Sequence, residues 1–365
     1  MTPIRARAIL LALLALVALG WRHTATASPP SGLEGKTRDV VFYRETVGRL
    51  RAGDPYYVAV GNAMRRYGYP TRSVFNWRTP LHLRIVAALG ITPSEWLMRG
   101  LAFLAVVSAG WALSARSTRL AIAALVSLSG AMLVPLLSYE AVLLPETWAG
   151  ILIGLSLAAY HRERWIAGAL LAVTAIFMRE LAAPYVLVCG VIALLERRRT
   201  EAAIWIAAGL SYATYYGLHA LNASAHIQPG DVSHEHSWLQ FQGLAFVLVT
   251  LRDYGWVILL GTFVAPLACA LGLAATAAPS MPRQLKYSLL AYVGFFASVG
   301  QPFDDYWGLV STAIWGYAFV YSAEGTHVLI AHALTAAASR AAPIEPCATG
   351  RLSTDKGPLC AEEKS

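Results

Sequence analysis

The chain has 365 residues, of which 57% are hydrophobic and only 14% charged, and its formal net charge is +8. Soluble domains carry about a quarter of charged residues, so this composition predicts a membrane protein. The positive charge gives no reason to expect nucleic acid as a partner, because much of it lies in short loops where it sets membrane orientation. The four cysteines follow no disulfide or metal-binding spacing.

The N-terminus is compatible with two interpretations. Arg5 and Arg7 precede a short apolar run, residues 8–20, and Ala25-Thr26-Ala27 resembles a signal-peptidase site. The run is either a cleaved signal peptide or a retained first span. Retention is favoured, because the polar stretch that follows is typical of the first outer loop of a multispanning enzyme. In both cases the next residues lie outside.

Residues 22–93 form the longest polar stretch, which we predict to be an outer loop containing amphipathic helices. The segment 39–51 is expected to begin a helix that lies on the membrane surface. Four apolar side chains share one face of it: Val40, Tyr43, Val47 and Leu50. Pro55 is expected to begin a second helix that ends near Tyr67, and a third begins near Pro80.

The remaining apolar segments, with the N-terminal run, predict about ten spans of the ~20 residues that a bilayer requires. They lie near 94–114, 119–137, 145–160, 165–179, 181–196, 201–221, 254–278, 286–302 and 306–322. The predicted fold is an all-α polytopic membrane protein with a single transmembrane domain over 1–340. The tail 341–365 has little apolar content and is expected to be disordered in the cytoplasm.

The short loops between these spans fall into two groups by charge. One group is basic: Arg116, Arg119, Arg162, Arg164, Arg197 to Arg199, Arg283 and Lys286. The other holds acids and histidines: Glu140, Glu146, Glu180, 231–236, Asp304 and Asp305. Because basic short loops stay cytoplasmic, the groups capable of acid–base chemistry face outward. We therefore expect an integral multi-pass protein of the plasma (inner) membrane, with both termini in the cytoplasm.

Asp39 is the first candidate for chemistry, because it follows the first span at the outer membrane surface. A carboxylate in this place can take a proton from an acceptor hydroxyl as a general base. The alternative is an acid at a helix N-terminus that is stabilised by the helix dipole.

Arg179 and Glu180 occur where one predicted span ends and the next begins. The planar fork of donors of an arginine suits a phosphate group, so Arg179 is a candidate ligand of a lipid phosphate. The alternative is an arginine that reaches to the interface and pairs with Glu180.

His234 and His236 share one face if their segment is extended. They could contact phosphate or hold a divalent metal, or they could be incidental residues of a solvated loop. A metal is not favoured, and no cofactor is predicted.

Asp304 and Asp305, flanked by aromatic residues, are candidates for binding acceptor hydroxyls, and Glu146 lies on the same side. For Tyr306 and Trp307 the favoured interpretation is the aromatic belt of a span end.

Several short motifs resemble one known family. They are Asp39 soon after the first span, Gly53-Asp54-Pro55-Tyr56, Tyr69-Pro70, Arg78-Thr79-Pro80-Leu81, Pro145-Glu146-Thr147-Trp148-Ala149-Gly150 and Phe177-Met178-Arg179-Glu180-Leu181. Together with the span count, this pattern resembles the GT-C superfamily of membrane glycosyltransferases. The resemblance covers about the first 200 residues.

The resemblance implies an enzyme that transfers a sugar from a polyprenyl-phosphate donor to a glycan, lipid or protein acceptor on the outer face, with inversion. It implies Asp39 as the catalytic carboxylate. We further expect Arg179 at the donor phosphate, with Glu180, Glu146 and Tyr43 in support. The absence of phosphate-binding GxxxxGK and dinucleotide GxGxxG loops agrees with a lipid-linked donor. The alternatives are a transporter or flippase of a lipid-linked or small polar substrate, and a non-catalytic scaffold of the same fold.

Overall fold

The computed structural model describes residues 1–26, 32–138, 141–233, 240–301 and 304–341. The protein is all-helical, with 82% helix and no strand among these residues, as the sequence predicts. The α-helices of the described ranges are α1 (Pro3–Thr26), α2 (Gly32–Arg51), α3 (Tyr56–Arg66), α4 (Pro80–Leu89), α5 (Ile91–Ser114), α6 (Thr118–Met132), α7 (Pro145–His161), α8 (Trp165–Met178), α9 (Ala183–Leu195), α10 (Arg199–Ser224), α11 (Leu244–Thr250), α12 (Gly255–Leu260), α13 (Ala265–Ala275), α14 (Arg283–Ser298) and α15 (Thr312–Ala341).

Helix α7 lies at the centre of the molecule. Its sequence is apolar on every side, which is typical of a helix surrounded by protein, and all residues from Pro145 to Ala158 are buried. It packs against α5, α8, α15 and a 3₁₀ turn, Asp305–Ser311. The residues at the start of α7 are therefore placed inside the protein.

Two glycines allow the 3₁₀ turn Asp305–Ser311 to approach its neighbours closely. A Cβ atom on Gly150 of α7 would lie 2.3 Å from the carbonyl oxygen of Leu309. One on Gly308 would lie 1.9 Å from the carbonyl oxygen of Thr250. Both distances are far below van der Waals contact, so these positions require glycine and the turn is held backbone to backbone.

The helices of the predicted outer loop occur where the prolines indicate, with one correction. Helix α3 follows Pro55 and α4 begins at Pro80, as predicted. The expectation that the preceding helix starts at Asp39 is wrong, because α2 begins at Gly32. Asp39 is thus well inside a helix, where the dipole of an N-terminus does not act. The predicted apolar face of α2 packs on α3 and α4.

The apolar segments form helices, but most are shorter than the predicted spans. Two are long and apolar enough to cross a membrane, Pro3–Arg22 and Ile91–Ser114, by length and composition. The segment 254–278 is not one span, since Gly261, with φ of +96°, separates α12 from α13. Ten spans therefore remain a prediction. Helix α1 packs against α13 and α15.

The basic loops lie together at one end of the helices, and the loops with acids and histidines lie at the other end. Arg116 donates to the carbonyl oxygen of Ser280 over 3.0 Å, which joins the loop after α5 to the loop before α14. Arg283 pairs with Glu196 at 2.9 Å and so joins the end of α9. Arg162, after α7, stacks 3.8 Å from the centre of a tryptophan ring near the end of α5. The basic loops thus gather at one end, called the basic end below.

We expect the basic end to face one side of a membrane and the loop after α10 to face the other. Single cysteines at Ser117 and Arg199 should be labelled from the same side by a membrane-impermeant maleimide, and a cysteine at Gln228 from the opposite side. The background carries serine at Cys347 and Cys360 so that only the introduced thiols react. Labelling of all three positions from one side would contradict the two-sided arrangement.

Candidate active site

Asp39 is buried, with 6% of its surface exposed. The hydroxyl of Tyr69 donates a hydrogen bond to Oδ1 of Asp39. Burial and the Asp39 carboxylate raise the pKa of Tyr69 well above its ordinary value, so this hydroxyl stays protonated and remains a donor. The guanidinium of Arg38 lies over the ring of Tyr69, 4.8 Å from its centre. Asp39 is therefore a buried carboxylate with one oxygen fixed and a cation near its partner.

Arg78 lies between two tyrosine hydroxyls and interacts electrostatically with Asp39. Its Nε donates to the hydroxyl of Tyr43 over 2.9 Å, and its Nη2 donates to the hydroxyl of Tyr306 over 3.3 Å. Tyr43 is fully buried, and burial raises its pKa. Tyr43 lies within electrostatic reach of Asp39, Arg78, Glu146 and Arg179. Since its neighbours come from α2, α7, the end of α8 and the approach to α4, this tyrosine marks the centre of the site.

Arg179 is buried between two carboxylates. Its Nε lies 2.7 Å from Oε1 of Glu146, and its Nη1 lies 2.5 Å from Oε1 of Glu180. Arg179 and Glu146 have 3% and 0% of their side chains exposed, whereas Glu180 has 35%. Glu146 occupies the first turn of α7, where the helix dipole favours an acid. The ion pair joins the end of α8 to the start of α7.

Asp304 is also buried, with 2% exposed. Its Oδ2 accepts a hydrogen bond from the backbone N–H of Gln301 over 2.9 Å. Burial raises its pKa to about 7, and Arg78 and Arg179 oppose this rise. Asp305 is only partly buried. The structure thus separates the two acids, and Asp304 is the one within reach of Asp39.

Tyr306 and Trp307 do not form a membrane-facing belt. They are 3% and 6% exposed, and the Tyr306 hydroxyl accepts from Arg78. The prediction for them is wrong because the turn Asp305–Ser311 folds inward against α7.

A small cavity of about 10 Å³ lies between the two arginines, with space for one water molecule. It is lined by Tyr43, Arg78, Thr79, His82, Leu83, Pro145, Met178 and Arg179. His82 is 2% exposed; its Nε2 contacts the carbonyl oxygen of Val142 at 3.2 Å, and its Nδ1 has no partner in the described residues. Burial lowers the pKa of His82 to about 4, so it is neutral at physiological pH.

His234 and His236 lie outside the described residues, as does Glu140, so their predicted roles remain predictions. Asp231, which precedes them, has a structural partner. Arg65 of α3 binds both of its carboxylate oxygens, at 2.8 and 2.9 Å, and this pairing lowers the pKa of Asp231. The acids and histidines of the described ranges include no group of three placed to hold a metal.

Sequence reasoning assigned no role to Tyr69, Arg78 or His82, although the first two fall in motifs that carry the family resemblance. One signal was available for His82. After Pro80 begins α4, positions 79, 82, 83 and 86 share a face, and Leu83 and Val86 make that face apolar. A histidine in such a stripe is expected to be buried. The contacts of Tyr69 and Arg78 depend on tertiary structure and left no comparable signal.

Comparison of the chain with protein-family models, with curated proteins and with solved structures finds no match.

We expect Arg179→Met to destabilise the protein by about 3–5 kcal/mol, because it leaves the buried Glu146 carboxylate without its partner. The double variant Arg179→Met/Glu146→Leu should recover much of this loss, since no unpaired charge remains. Thermal unfolding in detergent measures both. Arg283→Met, which removes a 69% exposed arginine whose partner Glu196 is itself 33% exposed, is the control and should cost less. Equal unfolding temperatures for the single and double variants would contradict the pairing.

Asp304 should make stability depend on pH. Its raised pKa stabilises the protein below pH 4, where it is protonated in both states, and this contribution is lost as pH rises towards about 7. Asp304→Asn cannot ionise, so its unfolding temperature relative to wild type should increase between pH 5 and pH 8. Asp305→Asn, at the more exposed neighbour, should show a smaller change. A difference that does not vary with pH would argue against a protonated Asp304.

Proposed function

We propose that the chain is a membrane glycosyltransferase that moves a sugar from a polyprenyl-phosphate donor to an acceptor outside the membrane, with inversion. The observation that carries the proposal is the grouping of Asp39, Arg78, Glu146, Arg179 and Asp304, opposite the basic end. Four of these residues are buried and Arg78 is partly buried; because burying a charge is energetically costly, charges gathered in one place mark a functional site. The resemblance of the sequence motifs to the GT-C superfamily supports the same reading.

The proposed chemistry is a single displacement. Oδ1 of Asp39 is held by Tyr69, and Oδ2 accepts no hydrogen bond in the described part of the chain, so Oδ2 takes the proton of the acceptor hydroxyl. The acceptor oxygen bonds to the anomeric carbon while the bond from that carbon to the phosphate oxygen breaks. The electron pair leaves with the phosphate. Its negative charge needs a fixed cation nearby.

Arg78 is the better placed of the two arginines to stabilise the departing phosphate. It is partly exposed, and its side chain donates to the neutral hydroxyls of Tyr43 and Tyr306, without a direct ion pair to a carboxylate of the described residues. Arg179, the residue expected from the sequence, is already neutralised by Glu146 and Glu180. In this proposal Arg179 adds to the local positive potential and holds α7 and α8 in place.

A lipid tail has a suitable path beside the site. An apolar groove of about 830 Å³ runs between α9 and α14. It begins at Pro184, shortly after Glu180 in the chain, and at Phe295, and continues past Leu187 and Val191 to Arg283 at the basic end. A polyprenyl chain in this groove would leave its phosphate near the Arg179–Glu180 end.

A membrane location is part of the proposal. Large apolar side chains are exposed on helix after helix, far more than soluble monomers leave in water. Examples from five helices are Phe103, Ile122, Leu170, Leu187 and Leu210. The separation of basic and acidic ends supports an orientation with the site outside, in which several of the shorter helices cross the membrane.

The decisive test is Asp39→Asn, which keeps the size of the side chain but cannot accept a proton at neutral pH. We expect it to lower sugar transfer from a polyprenyl-phosphate donor by 10²- to 10⁴-fold, the usual contribution of a general base. Donor binding should be nearly unchanged. Transfer is measured with purified protein in lipid nanodiscs, and donor binding is measured separately.

Asp54→Asn is the matched control. Asp54 lies in the turn after α2, where its side chain is 39% exposed and 3.6 Å from Arg49, so its loss should change transfer little. If wild type and Asp39→Asn transfer sugar equally well, the role of Asp39 is wrong. If wild type binds the donor but neither protein transfers sugar to any acceptor, a transporter or a scaffold becomes the better explanation.

A further inference from the structure

Aromatic side chains cover one face of α10 at the end away from the basic loops. Tyr212, Tyr215, Tyr216 and His219 follow a spacing of three and four residues and so share that face. Phe177 of α8 and Tyr57 of α3 extend the same surface. We call this surface the aromatic wall, defined as Tyr57, Phe177, Tyr212, Tyr215, Tyr216 and His219.

The rings of the aromatic wall contact one another in a continuous series. The ring centres of Phe177 and Tyr215 are 5.0 Å apart, those of Tyr216 and His219 5.6 Å, and those of His219 and Tyr57 5.7 Å. The Tyr57 hydroxyl lies 3.2 Å from Nδ1 of His219. The wall is thus a preformed aromatic surface that spans three helices.

The wall adjoins the candidate active site. The backbone N–H of Leu81 donates to the Tyr215 hydroxyl over 3.1 Å, two residues from Thr79 of the small cavity. Glu180 acts electrostatically on both Tyr212 and Tyr216. The Tyr212 hydroxyl is buried and has no hydrogen-bond partner among the described residues. Hydrogen-bonding groups that a ligand could use therefore lie at the end of the wall nearest Glu180.

We infer that the aromatic wall binds a carbohydrate acceptor, and this inference rests on the proposed glycosyltransferase function. A sugar ring has apolar C–H faces and a rim of hydroxyls. The aromatic rings pack against the C–H faces of the sugar. The 35% exposed Glu180 carboxylate and the Tyr212 hydroxyl form hydrogen bonds with the sugar hydroxyls. A polyprenyl chain lacks hydroxyls and would leave the buried Tyr212 hydroxyl without a partner.

An aromatic belt at the membrane surface does not account for the wall. Belt residues face lipid, whereas the wall turns towards the segment that connects α3 to α4. His219 is 2% exposed and its Nε2 contacts the carbonyl oxygen of Trp77 at 3.2 Å. The lipid-facing side of α10 carries Leu218 and Leu221 instead, both well exposed.

The test is direct binding of oligosaccharides by the full-length protein in nanodiscs. A glycan array identifies the best-bound oligosaccharide, which is then titrated against wild type and variants. Tyr216→Ala should weaken binding about tenfold, as expected for loss of one aromatic contact. Tyr212→Phe, which removes only a hydroxyl, should weaken it less. Leu221→Ala, on the opposite face of the same helix and 70% exposed, should bind like wild type.

Equal losses in Tyr216→Ala and Leu221→Ala, or no glycan bound by wild type, would overturn the inference. Transfer assays separate it from the proposed function. If both hold, Tyr216→Ala raises the KM for the acceptor and leaves kcat unchanged. Wall-dependent glycan binding without any transfer that depends on Asp39 would reject the enzyme while supporting the binding surface.

Discussion

The ion pair between Arg179 and Glu146 is the contact on which the arrangement of the site depends. It joins the end of α8 to the start of α7, and α7 is the helix around which α5, α15 and the turn Asp305–Ser311 pack. Two charges without water are stable only together, since either alone would carry an uncompensated cost of desolvation. The pair thus fixes the ends of two apolar helices. Tyr43 and Arg78 line the same small cavity as Arg179.

Much of the helical architecture follows from local signals in the sequence. Prolines at 55 and 80 predicted the starts of α3 and α4, and the charges of short loops predicted which ends come together. The start of α2 could not be predicted, because the residues before Val40 include Gly32, Gly35 and several charged residues and so show no apolar helical periodicity. The break at Gly261 could not be predicted either, because the residues on both sides of it are apolar and read as one continuous span.

The site was only partly predictable. Asp39, Tyr43, Glu146, Arg179 and Asp304 were recognised as ionisable or aromatic residues at the ends of apolar segments, and the fold brings them together. Tyr306 is a site residue that the sequence did not identify. Aromatic residues beside a span can be either buried site residues or members of an interfacial belt, and the sequence does not distinguish the two. For Tyr306 the contact with Arg78 identifies a buried site residue. The aromatic wall likewise draws on helices far apart in the chain.

The close backbone contacts at Gly150 and Gly308 affect how the site can move. No flexible side chain separates the turn Asp305–Ser311 from α7 or from Thr250, so no rotamer change can absorb a displacement there. Asp304 and Tyr306 should therefore travel with α7 as one rigid body. The opposite side of the site, formed by α2 and Tyr69, is joined to Tyr306 through Arg78, which donates to the hydroxyls of both Tyr43 and Tyr306. A motion that widens the site is thus expected to move α2 relative to α7, because the contacts on the α7 side leave no room for displacement.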